Sequence, residues 1–273
     1  MKLSPHWIRE FVDLPVDDRQ LAEGLTSIGI AVEGISGDGA NTVFEMEIGT
    51  NRPDAMNHYG VAREAATLYK VPLKQVESSP SGTAETAPSR KSDGSSSFVI
   101  EIDDREGCAR YTAQIIRGVK IKSSPEKIAS RLALVDQRAI NNAADASNYT
   151  LWEMGHPTHA FDLDLLEGGK IIVRRARQGE TLKTLDGINR KLSPDDLIIA
   201  DAKKPVALAG VMGGFDTMIT DKTKNILIES AWFDPVAVRK TAKRHGLHTD
   251  ASHRFERGAD FAATPLACAL VAQ

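Results

Sequence analysis

The stretch ILIESAWF (226–233) carries a single carboxylate, Glu229, inside an otherwise apolar run. Period-two alternation can turn such a residue to solvent; buried instead, it becomes a polar group that demands a partner. His159, in GHPTHAFD, is the second candidate. A histidine there can orient a water or move a proton, or it can simply hold a backbone carbonyl. His156, His159 and Asp162 follow one another at intervals of three, which suggests a metal site. Pro157 breaks any helix that would bring them to one face, and no fourth ligand stands out, so no metal is expected. No G-x-S-x-G elbow is present and neither cysteine has a histidine neighbour, so no covalent nucleophile is expected. The segment 235–245 carries Arg239, Lys240, Lys243 and Arg244 in two i, i+4 pairs, and residues 235–257 hold six Lys/Arg against two Asp/Glu. That density suits contact with RNA phosphates, and equally an ordinary solvated helix face.

These residues need elements to hold them. Ser4 and Pro5 open a helix over 4–14 with Trp7, Ile8, Phe11 and Val12 on one stripe, and a second helix spans about 17–28 before Gly29. Strands are predicted at 30–35 and 43–48, and a helix follows the turn-rich GTNRPDA (49–55). From Phe98 onward the predicted strands are 98–102, 111–118, 170–176, 197–200, 205–209 and 226–232. Helices are predicted at 124–134, 138–153 and 235–245, the last capped by Asp234 and closed by Gly246. Strands and helices do not alternate regularly, so an α+β fold with packed sheets is expected rather than a doubly wound one. The boundaries read as a small helical domain (1–40), a connecting strand and helix (41–76), and a flexible Ser/Pro/Gly-rich loop (77–97). The main mixed α/β domain (98–260) follows, then a C-terminal helix (261–273). That helix has no breaker, so it is expected to continue into a longer chain.

The chain has 273 residues, 41% hydrophobic and 26% charged, with net charge −3. It is therefore no general polycation, and any RNA contact must come from a local basic patch. No apolar run approaches the ~20 residues of a membrane span. The N-terminus does not read as a signal peptide. Cys108 and Cys268, far apart, suggest reduced thiols and a cytoplasmic setting.

Four stretches taken together resemble the β subunit of bacterial phenylalanyl-tRNA synthetases. They are GTNRPDAMNHYGVARE (49–64), INNAADASNYTLWEMGHPTHAFDLD (140–164), ETLKTLDGINRKLSPDDLIIADAKKPVALAGVMGG (180–214) and ILIESAWFDPVAVRKTAKRHGLHTDASHRFERGAD (226–260). The resemblance implies an N-terminal helical domain and an editing domain that hydrolyses tyrosine misattached to tRNA(Phe). The family's oligonucleotide-binding barrel has no room between Gly34 and Val43, and its later domains are missing from this chain.

By the same resemblance, Glu229 reads the tyrosine hydroxyl, and His159 orients water or holds the terminal adenosine near the ester. Ser147, Asn148, Ala209, Gly210, Thr249 and Ala251 match pocket positions, with serine at 147 where the family usually has threonine. The implied partners are tRNA(Phe) and the synthetase α subunit in an α2β2 enzyme. The implied cofactors are ATP and Mg for that full enzyme and none for this piece. The alternative is a non-catalytic RNA-binding or assembly module that keeps only the fold. The two differ in whether His159, Glu229 and the 209–210 turn converge on one cavity.

Overall fold

The computed structural model describes residues 1–77, 85–86 and 98–273. The chain divides into two compact units, Met1–Ser78 with Ser123–Gly155, and Ser79–Lys122 with His156–Gln273.

In the first unit, α1 (Pro5–Ile8) is capped by Ser4, whose side chain accepts from the Trp7 N–H. The expected helix over 4–14 stops at Ile8, because the chain turns there and Val12 pairs instead in a bridge with Leu73. The stripe Trp7, Ile8, Phe11 and Val12 is nevertheless buried throughout. Helix α2 (Asp18–Ser27) starts in a capping box between Asp17 and Gln20. Strands β1 (Lys2–Leu3), β2 (Ala31–Ser36) and β3 (Val43–Glu47) form a sheet in the order β1-β3-β2. Helix α3 (His58–Tyr69) is capped by Asn57, and α4 (Glu126–Leu134) and α5 (Asn142–Met154) complete the unit. Asn141 caps α5, so that helix begins four residues later than predicted.

Residues 1–40 are therefore not a separate helical domain, and 123–155 do not belong to the main domain. Leu132, Val135 and Trp152 from α4, α5 and the turn between them fill the core built by Leu3, Trp7 and Phe44. Trp7 stacks on His58 at 3.9 Å and on Tyr149 at 4.6 Å. His58 accepts from the Ser4 N–H and donates to the Trp152 carbonyl, so one neutral tautomer is fixed. Asn57 both caps α3 and donates to the Asp54 carbonyl, from a position 3% exposed. Asn57→Ala should lower stability by about 1 kcal/mol, read from the urea midpoint.

The second unit holds β4 (Glu85–Thr86), β5 (Val99–Ile102), β6 (Cys108–Arg117), β7 (Thr158–Asp162), β8 (Lys170–Arg175), β9 (Thr181–Lys183) and β10 (Asn189–Lys191). It continues with β11 (Leu197–Ala200), β12 (Pro205–Leu208), β13 (Met212–Gly213), β14 (Asn225–Phe233), α6 (Pro235–His245), α7 (Asp250–Phe255) and α8 (Thr264–Ala272). The expected flexible loop at 77–97 falls largely outside the described residues; within it, Glu85–Thr86 pair with β6. One sheet runs β13-β12-β11-β8-β5, the other β4-β6-β14-β7, and β9-β10 make a hairpin. Ile115, Phe161 and Leu227 from the second sheet share one core with Val173, Ile198 and Val206 from the first. The fold is the expected α+β arrangement of packed sheets. Helix α8 packs on β14 and β6. Because that helix covers one side of β14 and the core lies on the other, the strand is buried from Ile226 to Ala231, and alternation in polarity is lost. Among the described residues, no helix is long and apolar enough to cross a membrane.

Candidate functional site

Strands β7 and β14 lie side by side and antiparallel, with His159 directly opposite Glu229. Residues opposite each other in such a pair project to the same face. That face is one wall of a cavity of about 80 Å3. The other wall comes from Ala207 and Leu208 of β12, the Gly210–Val211 turn and β13, closed by Ala251 and Phe255 of α7. His159, Glu229, Gly210 and Ala251 thus line one cavity.

The remaining candidates divide. Ala209 is buried beside the cavity, and its N–H donates to the Leu197 carbonyl, which fixes the turn rather than lining the space. Thr249 caps α7 and donates its hydroxyl to the Val211 carbonyl at 2.9 Å, tying the turn to the helix. Ser147 and Asn148 sit on α5 in the first unit and are absent from the cavity lining.

Polar atoms in this cavity are short of partners. Among the described residues, Glu229 Oε2 and His159 Nε2 are buried without a hydrogen bond. Orphans of this kind each cost about 1–3 kcal/mol, so two on one face call for a ligand or water. Burial pushes the Glu229 carboxyl up to about 8, with the Tyr111 hydroxyl beside it pulling the other way. Burial alone pushes the His159 imidazole down to about 4. At neutral pH both groups are uncharged, so the cavity offers hydrogen bonds without a net charge.

Two glycines shape the space. Gly210 has φ of +68°, and a Cβ there would fall 3.0 Å from Phe255 Cδ2 and Val238 Cγ2. A Cβ on Gly213 would lie 2.4 Å from His159 Cε1 and 2.6 Å from its Nε2, so the imidazole rests on bare backbone. Sequence reasoning missed Gly213, Thr158 and Phe255. The doubled glycine in VMGG was the available signal for the first; nothing local marks the other two.

Of the three residues at intervals of three, Asp162 accepts from the Thr223 hydroxyl at 2.6 Å and from the Asp164 N–H. On α6, Arg239, Lys240 and Lys243 are exposed and form no ion pair among the described residues. Arg244 differs, because it pairs with the fully buried Asp196, which His245 Nε2 also meets at 2.8 Å. Burial would raise the Asp196 carboxyl, but the Ser193 N–H, His245 and Arg244 outweigh it and hold it below the usual range. Arg244 thus ties the end of α6 to the 193–196 turn.

A family model described as the B3/4 domain matches residues 107–273. The chain is 48% identical over 222 residues to the phenylalanine–tRNA ligase β subunit of Anaeromyxobacter dehalogenans, covering 81% of this chain and 27% of that protein. It is 49% identical over 226 residues to the one from Geobacter sulfurreducens, with the same coverage of each chain. The one from Moorella thermoacetica is 41% identical over 265 residues, covering 97% of this chain and 31% of the relative. The matches thus span between a quarter and a third of these curated relatives' lengths.

Proposed function

This chain belongs to the B3/4 domain family, and we propose on that premise that it is the part of a phenylalanine–tRNA ligase β subunit that hydrolyses tyrosine misattached to tRNA(Phe). The observation that carries the reading is the facing pair His159 and Glu229, each with an unpartnered buried atom on one small cavity.

Phenylalanine and tyrosine differ by one hydroxyl, which a synthetic pocket shaped for an aromatic ring rejects only weakly. A second site does the reverse discrimination well. The neutral Glu229 carboxyl can donate to or accept from a phenol, whereas a phenylalanine ring would leave it orphaned at a cost of about 1–3 kcal/mol. The cavity, about 80 Å3, is smaller than the roughly 150 Å3 that holds benzene. The flexible Met212 in its lining is the side chain best able to give way as the ring enters.

Hydrolysis then needs only a positioned water. Its oxygen attacks the ester carbonyl carbon, the bond to the ribose oxygen breaks, and that oxygen takes up the proton the water loses, so that tyrosine and the tRNA hydroxyl leave. His159, held neutral, can accept a hydrogen bond from that water and orient it. Aminoacylation with ATP and Mg, the α subunit and an α2β2 assembly belong to the full ligase in this proposal, and none of the residues above is assigned to them. The cytoplasm is the proposed setting.

The test compares hydrolysis of tyrosyl-tRNA(Phe) and phenylalanyl-tRNA(Phe) by this chain and by its Glu229→Ala variant. Preferential loss of the tyrosyl ester, with selectivity falling about tenfold or more in the variant, is the expected result. Equal rates on both esters, or selectivity untouched by the substitution, would sink the reading. If the isolated chain cleaves neither, the same comparison in the assembled ligase decides.

A further inference from the structure

The β9–β10 hairpin ends in a tip, Thr184–Ile188, that exposes two large aliphatic side chains. Leu185 is 42% and Ile188 53% exposed. The tip is built rigidly. Asp186 accepts from the Thr184 hydroxyl at 2.6 Å and from the Ile188 N–H at 3.2 Å. Arg190 pairs with Asp186 and donates to the Thr184 hydroxyl at 2.9 Å. A second Arg190 nitrogen donates to the His245 carbonyl at the end of α6. Holding two apolar side chains in water on so fixed a frame gains nothing for folding.

The tip also stands at the cavity. The Leu185 N–H donates to the Gly213 carbonyl, and Thr184 bridges to Gly214. The point where a Gly213 Cβ would lie is 3.3 Å from Leu185 Cδ1 and 2.6 Å from His159 Nε2. Leu185 is therefore a near neighbour of the imidazole and is itself exposed. The two strands of the hairpin carry Lys183, whose Nζ lies 4.0 Å over the Phe215 ring, and the exposed Lys191, and the helix that Arg190 joins to the tip carries the exposed Lys243.

We infer that the 184–188 tip is the seat of the nucleoside esterified to the amino acid, with Leu185 and Ile188 packing on the face of the terminal adenine. The inference rests on the proposed function, which places the amino acid in the cavity. An ester leaving that cavity past His159 carries its ribose and base directly over Leu185. A flat apolar base face matches two fixed aliphatic side chains, and the phosphate that follows matches the lysines. A protein partner covering the same two side chains would ask for no such proximity to His159.

Two non-hydrolysable probes separate the parts: tyrosinamide, which fills only the cavity, and 3′-deoxy-3′-tyrosylamidoadenosine, which adds the nucleoside. Calorimetric titration of the full chain should show the adenosine conjugate binding about tenfold tighter, the factor that roughly 55 Å2 of apolar contact supplies. In Leu185→Ser/Ile188→Ser that ratio should fall to within about twofold while tyrosinamide binds as before; Ile188→Ser alone should lower it by about threefold. A conjugate no tighter than tyrosinamide in the native chain overturns the inference and leaves the cavity reading standing. A ratio unchanged in the double variant, or both probes weakened equally, also overturns it and leaves a protein partner as the occupant. No binding of tyrosinamide at all overturns the cavity reading and this inference together.

Discussion

Gly213→Val is expected to lower hydrolysis of tyrosyl-tRNA(Phe) roughly a thousandfold, the usual worth of a displaced water-orienting group, while the protein stays folded. The added Cβ would sit 2.4 Å from His159 Cε1, and the imidazole would have to leave its place. Gly213 has an ordinary backbone conformation, unlike Gly210 with its φ of +68°, so the valine strains no dihedral. It lies on β13, a two-residue strand at the end of its sheet, between β12 and the Thr184–Leu185 backbone. The loss should therefore appear in rate and not in the thermal midpoint, and Gly213→Ala should fall between valine and the native residue. A valine variant that hydrolyses at the native rate would mean that His159 takes no part. One that unfolds would mean that the glycine serves packing, and alanine would then be the informative variant.

Much of the frame around this site is legible in the sequence, because local rules decide it. Asp234, Pro235 and Gly246 bound α6 at the predicted residues, and the apolar run LIIA gives β11 without error. What fails has a common cause: it depends on partners far along the chain. Residues 123–155 return to the N-terminal unit through Leu132, Val135 and Trp152, and no periodicity announces which core an amphipathic helix will join. Strand β7 escapes because THAFD follows a proline and is too short to alternate convincingly. Helix α7 hides for a similar reason, since its six residues follow Thr249, whose capping hydroxyl also serves the Val211 turn. Glu229 is the instructive case. Its local sequence allows solvent or core, and only α8, covering the opposite side of β14, removes the solvent option. In the basic cluster on α6 the partner of Arg244 is not legible, because Asp196 lies 48 positions away in sequence.

Replacing the ionisable Glu229 carboxyl should make the protein more stable at neutral pH, by about 3 kcal/mol for Glu229→Gln. The sign follows from burial, which raises this carboxyl to about 8 in the folded state, whereas in the unfolded chain it titrates near ~4.3. Below both values the group is protonated in either state and folding is indifferent to pH. Between them the unfolded chain gains by ionising and the folded chain does not, so native stability falls as pH rises from about 4.3 toward 8. Glutamine has nothing to ionise, so the difference between variant and native protein should be near zero at pH 4 and widen steadily to pH 8, read from urea midpoints. Asp196 works in the opposite sense, because its depressed carboxyl strengthens the fold above its unfolded value and is lost only on acidification. It is unchanged in the variant and cancels in the comparison. A difference that stays flat with pH would show that Glu229 is ionised in the folded protein. The cavity would then carry a negative charge and could only accept from a phenol, and the neutral hydrogen-bonding reader proposed above would have to be given up.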